Sequence, residues 1–225
     1  MMLRLMCIAV LFWNALAEAP SEKEREDLMN LHSELRESVD PPASNMLMLS
    51  YSSELEKLAD AWVANCKIAF PDVTKQPEYK GLGHIITGGL PGKPRSFESF
   101  STIRDLKPKY NYSRNLCLGR CERYKQVVWA KTSEIGCAKQ RCGDQGDTLN
   151  YQYYSACLYR PTGDVSTKQP YVRGASCSRC PEGYVCERKQ CTKPAATTVA
   201  TTSISTRLSA AGILNAAVLS LLLAA

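Results

Sequence analysis

Two histidines, His32 and His84, are all the imidazole this chain has, and that limits its chemistry at once. A zinc centre needs three or four converging nitrogen, sulfur or carboxylate ligands. Nucleophilic catalysis needs a Ser, Cys or Thr beside a base. No such pairing stands in a recognisable context, so hydrolysis is not expected. The other reactive groups are eleven cysteines, among them Cys177-x-x-Cys180 with Cys186 and Cys191, a spacing open to zinc or to disulfides. Asn111-Tyr112-Ser113 is an acceptor sequon for N-linked glycan, which has meaning only in a secreted chain.

Both ends decide the compartment. Met1 to Ala17 has Arg4, an apolar run from Leu5 to Leu16 and small residues at Ala15, Ala17 and Ala19. That is a secretory signal peptide over 1–17, with cleavage after Ala17 or Ala19. It is shorter than the ~20 apolar residues that span a bilayer. The last residues, Ile213 to Ala225, are apolar with Asn215 and Ser220 as interruptions, and no charge follows them. Small residues at 200–205, a short polar spacer with Arg207 and an apolar terminus predict a GPI-attachment signal over 207–225, with Ser203 as the attachment residue. A plain apolar tail is the alternative. Cys7 leaves with the leader, and the ten remaining cysteines, an even number, predict five disulfides rather than a zinc site. Without Arg4 and Arg207 the charge falls from +6 to +4, which is too mild for a nucleic-acid partner but leaves room for anionic surfaces.

The elements that must hold these groups follow from periodicity. Leu28, Leu31, Leu35 and Val39 recur at helical spacing over Ser21–Val39, with Ser21 and Glu24 as a capping box and Pro41-Pro42 as the stop. His32 falls on the apolar side and is expected as a satisfied core residue. Met46–Tyr51 is an apolar connector. A second helix is predicted from a Ser53/Glu56 capping box, with Leu55, Leu58, Ala59, Trp62, Val63 and Cys66 as its buried stripe, bringing Cys66 to the core. Residues 71–95 are loop, interrupted by a strand at His84–Thr87; Ser96–Leu106 is a short helix ending before Pro108. Three strand-like runs, Gln126–Trp129, Ile135–Cys142 and Tyr151–Tyr159, predict a cross-linked sheet with its turn at Gly143 and Asp144–Asp147. Cys117 and Cys121 are close enough to pair locally. Cys177–Cys191 has almost no core and needs its disulfides, and 193–206 reads as a Thr/Ser-rich stalk.

Four segments carry a resemblance. They are Leu31–Arg36 with Pro41–Met46, Leu58–Cys66, Gln126–Thr132 with Ile135–Ala138, and Ala156–Asp164. Together they resemble the CAP superfamily of cysteine-rich secretory, antigen 5 and pathogenesis-related-1 proteins. Tyr171–Cys180 and Cys186–Cys191 are similar to the branch of glioma pathogenesis-related-1-like and peptidase inhibitor 16-like proteins. The resemblance implies an α+β fold, a three-layer α-β-α sandwich over 22–172, followed by a cysteine-rich hinge module over 173–192. It also implies the pairs Cys66–Cys142, Cys137–Cys157, Cys117–Cys121, Cys177–Cys186 and Cys180–Cys191.

Members of that superfamily commonly hold a divalent metal on two His and two Glu. Matched residue by residue, those positions fall here on Phe70, on His84 (or Leu82), near Ile103 and on Arg123. One imidazole cannot complete a zinc site, and Arg123 sets a permanent cation where the metal charge would be. The cleft is therefore expected to hold no metal and the chain to need no cofactor; a site rebuilt from His84, Glu98 and Asp105 is the competing reading. The expected function is non-enzymatic recognition or adhesion at the cell surface, in a gamete or immune setting, secreted or GPI-anchored. The partner would be a protein or glycan on another cell or in the matrix, met by loops 75–95 and 107–120. The alternative is a sterol or lipid carrier gated by Ser96–Tyr110.

Overall fold

The computed structural model describes residues 19–88, 97–143 and 151–194. The signal peptide, the Asp144–Asp147 turn, part of the 75–95 loop, Ser203, most of the stalk and the apolar tail lie outside them.

Helix α1 spans Glu22–Glu37. Ser21 Oγ accepts from the Glu24 amide and the Glu24 carboxylate accepts from the Ser21 amide, so the capping box forms as its residue types predict. Leu28, Leu31 and Leu35 are buried, and so are two polar residues of the same face, His32 and Arg36. Helix α2, Ser53–Val63, follows the two-residue strand β1, Ser50–Tyr51. Its cap is Ser52 rather than Ser53. Glu56 is drawn away from a capping box: it takes two bonds from Arg25 of α1, at 2.9 and 3.0 Å, and one from the Tyr51 hydroxyl at 2.5 Å.

Strands β5 (Glu134–Cys142) and β6 (Gln152–Arg160) form an antiparallel pair with Cys137 directly opposite Cys157. Strand β2 (Gly83–Gly88) lies antiparallel on β6, and β1 lies parallel on β5, giving the order β1-β5-β6-β2. Alternation along the strands divides the core. Ile85, Ile135, Cys137, Cys157 and Tyr159 face α1 in one apolar cluster. Ala138, Ala156 and Leu158 face Leu55, Ala59, Trp62 and Val63 of α2 in the other. The sheet is thus covered on both sides, the three-layer arrangement. Gly136 lets α2 come close: a Cβ there would sit 2.3 Å from the Glu56 amide nitrogen.

Three local expectations change. Gln126–Trp129 is not a strand; it ends helix α3, Glu122–Val127, and the turn after it. Tyr124 and Val127, three residues apart, both reach the α1-side core as a helix allows, and burial there overrides the β-propensity of the Val-Val-Trp run. Ser96–Leu106 becomes a 3-10 helix over Phe97–Lys109 that runs through Pro108. Phe97, Phe100, Ile103 and Leu106 recur every third residue, the period of a 3-10 helix, so they stay on one face of it and pack into the core. Cys66 does not enter the core. It lies exposed past the end of α2 at φ 54° and is joined to Cys142 at the end of β5.

The remaining disulfides are Cys117–Cys121, Cys137–Cys157, Cys177–Cys186 and Cys180–Cys191. A small ribbon of β3 (Tyr110–Asn111) and β4 (Leu116–Cys117) precedes α3, and a second, of β7 (Val185–Glu187) and β8 (Gln190–Thr192), ends the described chain. The cysteine-rich segment is sewn to residues 42–48 by main-chain bonds: Gly174 N to Pro42 O, Arg179 N to Ser44 O, Cys191 N to Met46 O and Met48 N to Cys191 O. The described residues, 19–88, 97–143 and 151–194, accordingly fall in one compact unit.

Candidate functional site

The four positions matched to the metal tetrad do not share one chemistry. The Phe70 and His84 rings stack with centroids 4.0 Å apart and 10° between planes, and Trp62 meets both edge-on. Partial desolvation against this apolar face lowers the His84 pKa, although one side of the ring stays open to solvent. Leu82, the other candidate for its position, is buried in the α2-side cluster. Ile103 is buried in the opposite, α1-side cluster, and the Arg123 side chain is exposed on α3. The sheet therefore separates Ile103 from Phe70 and His84. An aromatic ring, an aliphatic chain and a guanidinium are not metal ligands, so these residues do not fit a zinc ion. The Glu98 side chain, needed for a rebuilt site, lies outside what is described. Cys177, Cys180 and Cys191 bring their sulfurs close together, but all three are committed to disulfides.

His32 is closed to chemistry. It is fully buried, its Nδ1 donating to Leu28 O at 2.7 Å and its Nε2 meeting the Tyr159 hydroxyl at 3.0 Å. Desolvation, reinforced by the Arg36 charge, lowers its pKa to about 4.

Arg36, one turn further along α1, is the hub that sequence reading passes over. Its guanidinium has no carboxylate partner among the described residues. Nη1 donates to the carbonyls of Val127 and Trp129 at 2.7 and 2.9 Å, and Nη2 to those of Leu47 at 2.5 Å, Thr132 at 3.1 Å and Ala130 at 3.5 Å. Desolvation pushes its pKa down to about 9. The signal was present: Arg36 stands four residues after His32, beside Leu35, on a face otherwise apolar. Trp129 O also accepts from the Thr132 amide and Ala130 O from the Leu47 amide, so the carbonyls that depend on Arg36 among the described residues are those of Leu47, Val127 and Thr132.

That turn shapes the most site-like surface of the described chain, a groove of about 570 Å³ between Trp129–Lys131 and the 161–172 segment. The Ala130 amide donates to Pro170 O at 2.7 Å and holds the two walls together. Gly163 packs flat against the indole; a Cβ there would meet Trp129 Cδ2 at 2.3 Å. Trp129 is only 9% exposed, but its indole N–H, which has no partner among the described residues, is not sealed from solvent. The Lys131 and Lys168 side chains are exposed at the rim of the groove, and the Lys168 charge acts on Asp164. Asn45 accepts from the Val172 amide with Oδ1 at 2.9 Å, which leaves its NH2 group to the groove. The one carboxylate, Asp164, is turned on its own loop: it accepts from Thr167 Oγ1 at 2.6 Å and from the Thr167 amide at 3.2 Å, which holds its pKa down. The groove thus offers donors and positive charge over an apolar floor that includes Val172, and its acceptor is already used.

A second groove, about 490 Å³, runs between α1 and the 3-10 helix, where a lipid gate was expected. Leu28, Leu31 and Phe97 give it apolar surface, but Glu24, Asp27 and Glu34 rim it. Glu34 is tied to Arg104 at 2.5 Å across the mouth.

A sheet covered on both faces, a disulfide frame and this groove define a secretory-type scaffold, and comparison places it. Residues 29–159 match the model of the CAP, cysteine-rich secretory protein family, and the chain belongs to that family. It is similar to GLIPR1-like protein 1 of Mus musculus, 36% identical over 72% of this chain and 70% of the relative. It is 35% identical to peptidase inhibitor 16 of Bos taurus over 78% of this chain, but spans only 37% of that longer protein. Among solved structures it resembles venom allergen-like protein 4 of Schistosoma mansoni, with a TM-score of 0.55, 26% identity and coverage of 69% and 97% of the two chains.

Proposed function

We propose that this chain is a non-enzymatic recognition protein of the cell exterior, tethered by GPI through Ser203, whose Trp129 groove takes an acidic segment of a protein partner on another cell or in the matrix. The observation that carries the reading is the set of donors and cations lining one groove: the Trp129 indole N–H and the Asn45 NH2 group, with no acceptor among the described residues, and the exposed ammonium groups of Lys131 and Lys168. Donors open at a surface groove bond an incoming oxygen, and two lysines against a single carboxylate favour an anionic one. Gly163 covers one indole face, which argues against a sugar stacked on that face. The absence of catalysis is supported by His32 locked between Leu28 and Tyr159, His84 stacked on Phe70, and the ten cysteines held in disulfides. No observation favours a carrier of sterol, since the α1 groove is rimmed by carboxylates.

Two measurements test this. Phosphatidylinositol-specific phospholipase C applied to expressing cells releases the protein into the medium; protein that stays on the cells refutes the anchor. Hexaglutamate titrated into the mature ectodomain shifts Trp129 emission, and Lys131→Gln/Lys168→Gln weakens the binding at least tenfold at physiological salt. Binding that the double variant leaves unchanged refutes the groove. A heparin hexasaccharide that binds where hexaglutamate does not turns the partner into a sulfated glycan.

A further inference from the structure

In the β3–β4 ribbon Tyr110 is opposed to Cys117 and Asn111 to Leu116, and the Leu118 amide donates to Lys109 O at 2.7 Å, which carries the pairing one step further. Opposed residues project from the same side of a ribbon, and successive residues alternate. Tyr110 and Cys117 are the half-buried pair; Lys109, Asn111, Leu116 and Leu118 share the exposed side. Leu116 is 48% exposed and Leu118 66%, two large apolar side chains set together in water. The ribbon is not loose. Tyr112 is buried at its tip, stacked on Tyr171 at 4.7 Å with its hydroxyl donating to Tyr171 O, and Cys117–Cys121 closes its base. Asn111 itself is exposed. Its Oδ1 accepts from the Arg114 amide at 3.0 Å, and its Nδ2 has no partner among the described residues. Ser113, the hydroxyl of the sequon, is exposed too.

We propose that Asn111 carries an N-linked glycan whose first sugars lie over Leu116 and Leu118, so that the glycan is part of the folded surface and not an appendage. In the modification, Nδ2 forms a bond to the anomeric carbon of a lipid pyrophosphate-linked oligosaccharide. The anomeric C–O bond breaks, the lipid pyrophosphate leaves, and Nδ2 gives up one proton. The acceptor nitrogen is the free one, and the Oδ1 contact to Arg114 survives because the product is still an amide. The side chain directly opposite, Leu116, has its Cβ about 5 Å from that of Asn111. The C–H faces and acetyl methyl of an N-acetylglucosamine are the only apolar surface a glycan brings so close. The inference rests on the extracellular reading of the chain. It also withdraws the 107–120 loop from partner binding and leaves that role to the Trp129 groove.

The test uses full-length protein expressed in animal cells and recovered from their surface with phosphatidylinositol-specific phospholipase C, or from the medium. Intact mass and conversion of Asn111 to Asp by peptide N-glycosidase F establish the glycan. Ser113→Ala removes it while keeping Asn111 and its hold on Arg114. We expect the 109–118 amides of this variant to exchange with deuterium severalfold faster. We also expect concentration-dependent self-association in sedimentation, abolished by adding Leu116→Ser and Leu118→Ser. An unmodified Asn111 in secreted, folded protein overturns the proposal. So does a glycan whose loss alters neither exchange nor association. A chain that never enters the secretory route sinks the extracellular reading, and the glycan with it.

Discussion

Acid should unfold this protein through His32, and the size of the effect can be worked from its surroundings. The ring is fully buried between Leu28 O, the Tyr159 hydroxyl and the Arg36 cation, and its pKa falls from 6.5 to about 4. The folded state therefore prefers the neutral ring. At pH 7 the imidazole is neutral in both states and costs nothing. As pH drops below 6.5 the unfolded chain takes a proton that the folded chain refuses, so stability falls until the folded pKa is passed. The drop from 6.5 to about 4 corresponds to about 3 kcal/mol well below pH 4, of which about 2 kcal/mol is already lost at pH 4.5. Carboxylates such as Glu24, whose pKa is lowered in the fold, act in the same direction, so the His32 share needs a difference of differences. His32→Asn keeps a donor for Leu28 O and does not titrate. Urea unfolding of both proteins at pH 7 and 4.5, disulfides intact, should show the wild type losing about 2 kcal/mol more than the variant. Equal losses would refute the claim that the ring is held neutral.

Arg36→Met should destabilise the fold by about 3–5 kcal/mol in urea at pH 7, because the buried carbonyls of Leu47, Val127 and Thr132 lose their donor together while those of Trp129 and Ala130 keep only a main-chain one. Arg36→Lys should recover less than half, since a point charge cannot span them; full rescue would refute the clamp. Gly163→Ala should cost about 1–3 kcal/mol and shift Trp129 emission to the red, because the added methyl displaces the indole it would touch at 2.3 Å. An unchanged spectrum would show that the 161–172 wall moves and the indole does not.

What the sequence determined by itself is the part of the protein governed by local rules. The Ser21/Glu24 box, the 3.6-residue stripe of α1 and the strand runs of β5 and β6 are neighbour effects, and they stand where their residue types put them. The threefold spacing of Phe97, Phe100 and Ile103 was legible as well, had its period been matched to a 3-10 helix and not to an α-helix. Residue types alone also removed metal ligands from positions 70, 103 and 123. Tertiary structure decided the rest. Val127-Val128-Trp129 has strand composition, but the core took Tyr124 and Val127 from one helical face, and Arg36, ninety-one residues before Val127, took the carbonyls that a strand would have given to a neighbour. Glu56 left its cap for Arg25 for the same kind of reason. The Trp129 groove exists only because Asn45, the 127–132 turn and the 161–172 segment meet. Donors scattered from Asn45 to Lys168 converge through long-range packing, and no periodicity records which distant side chains a fold will bring together.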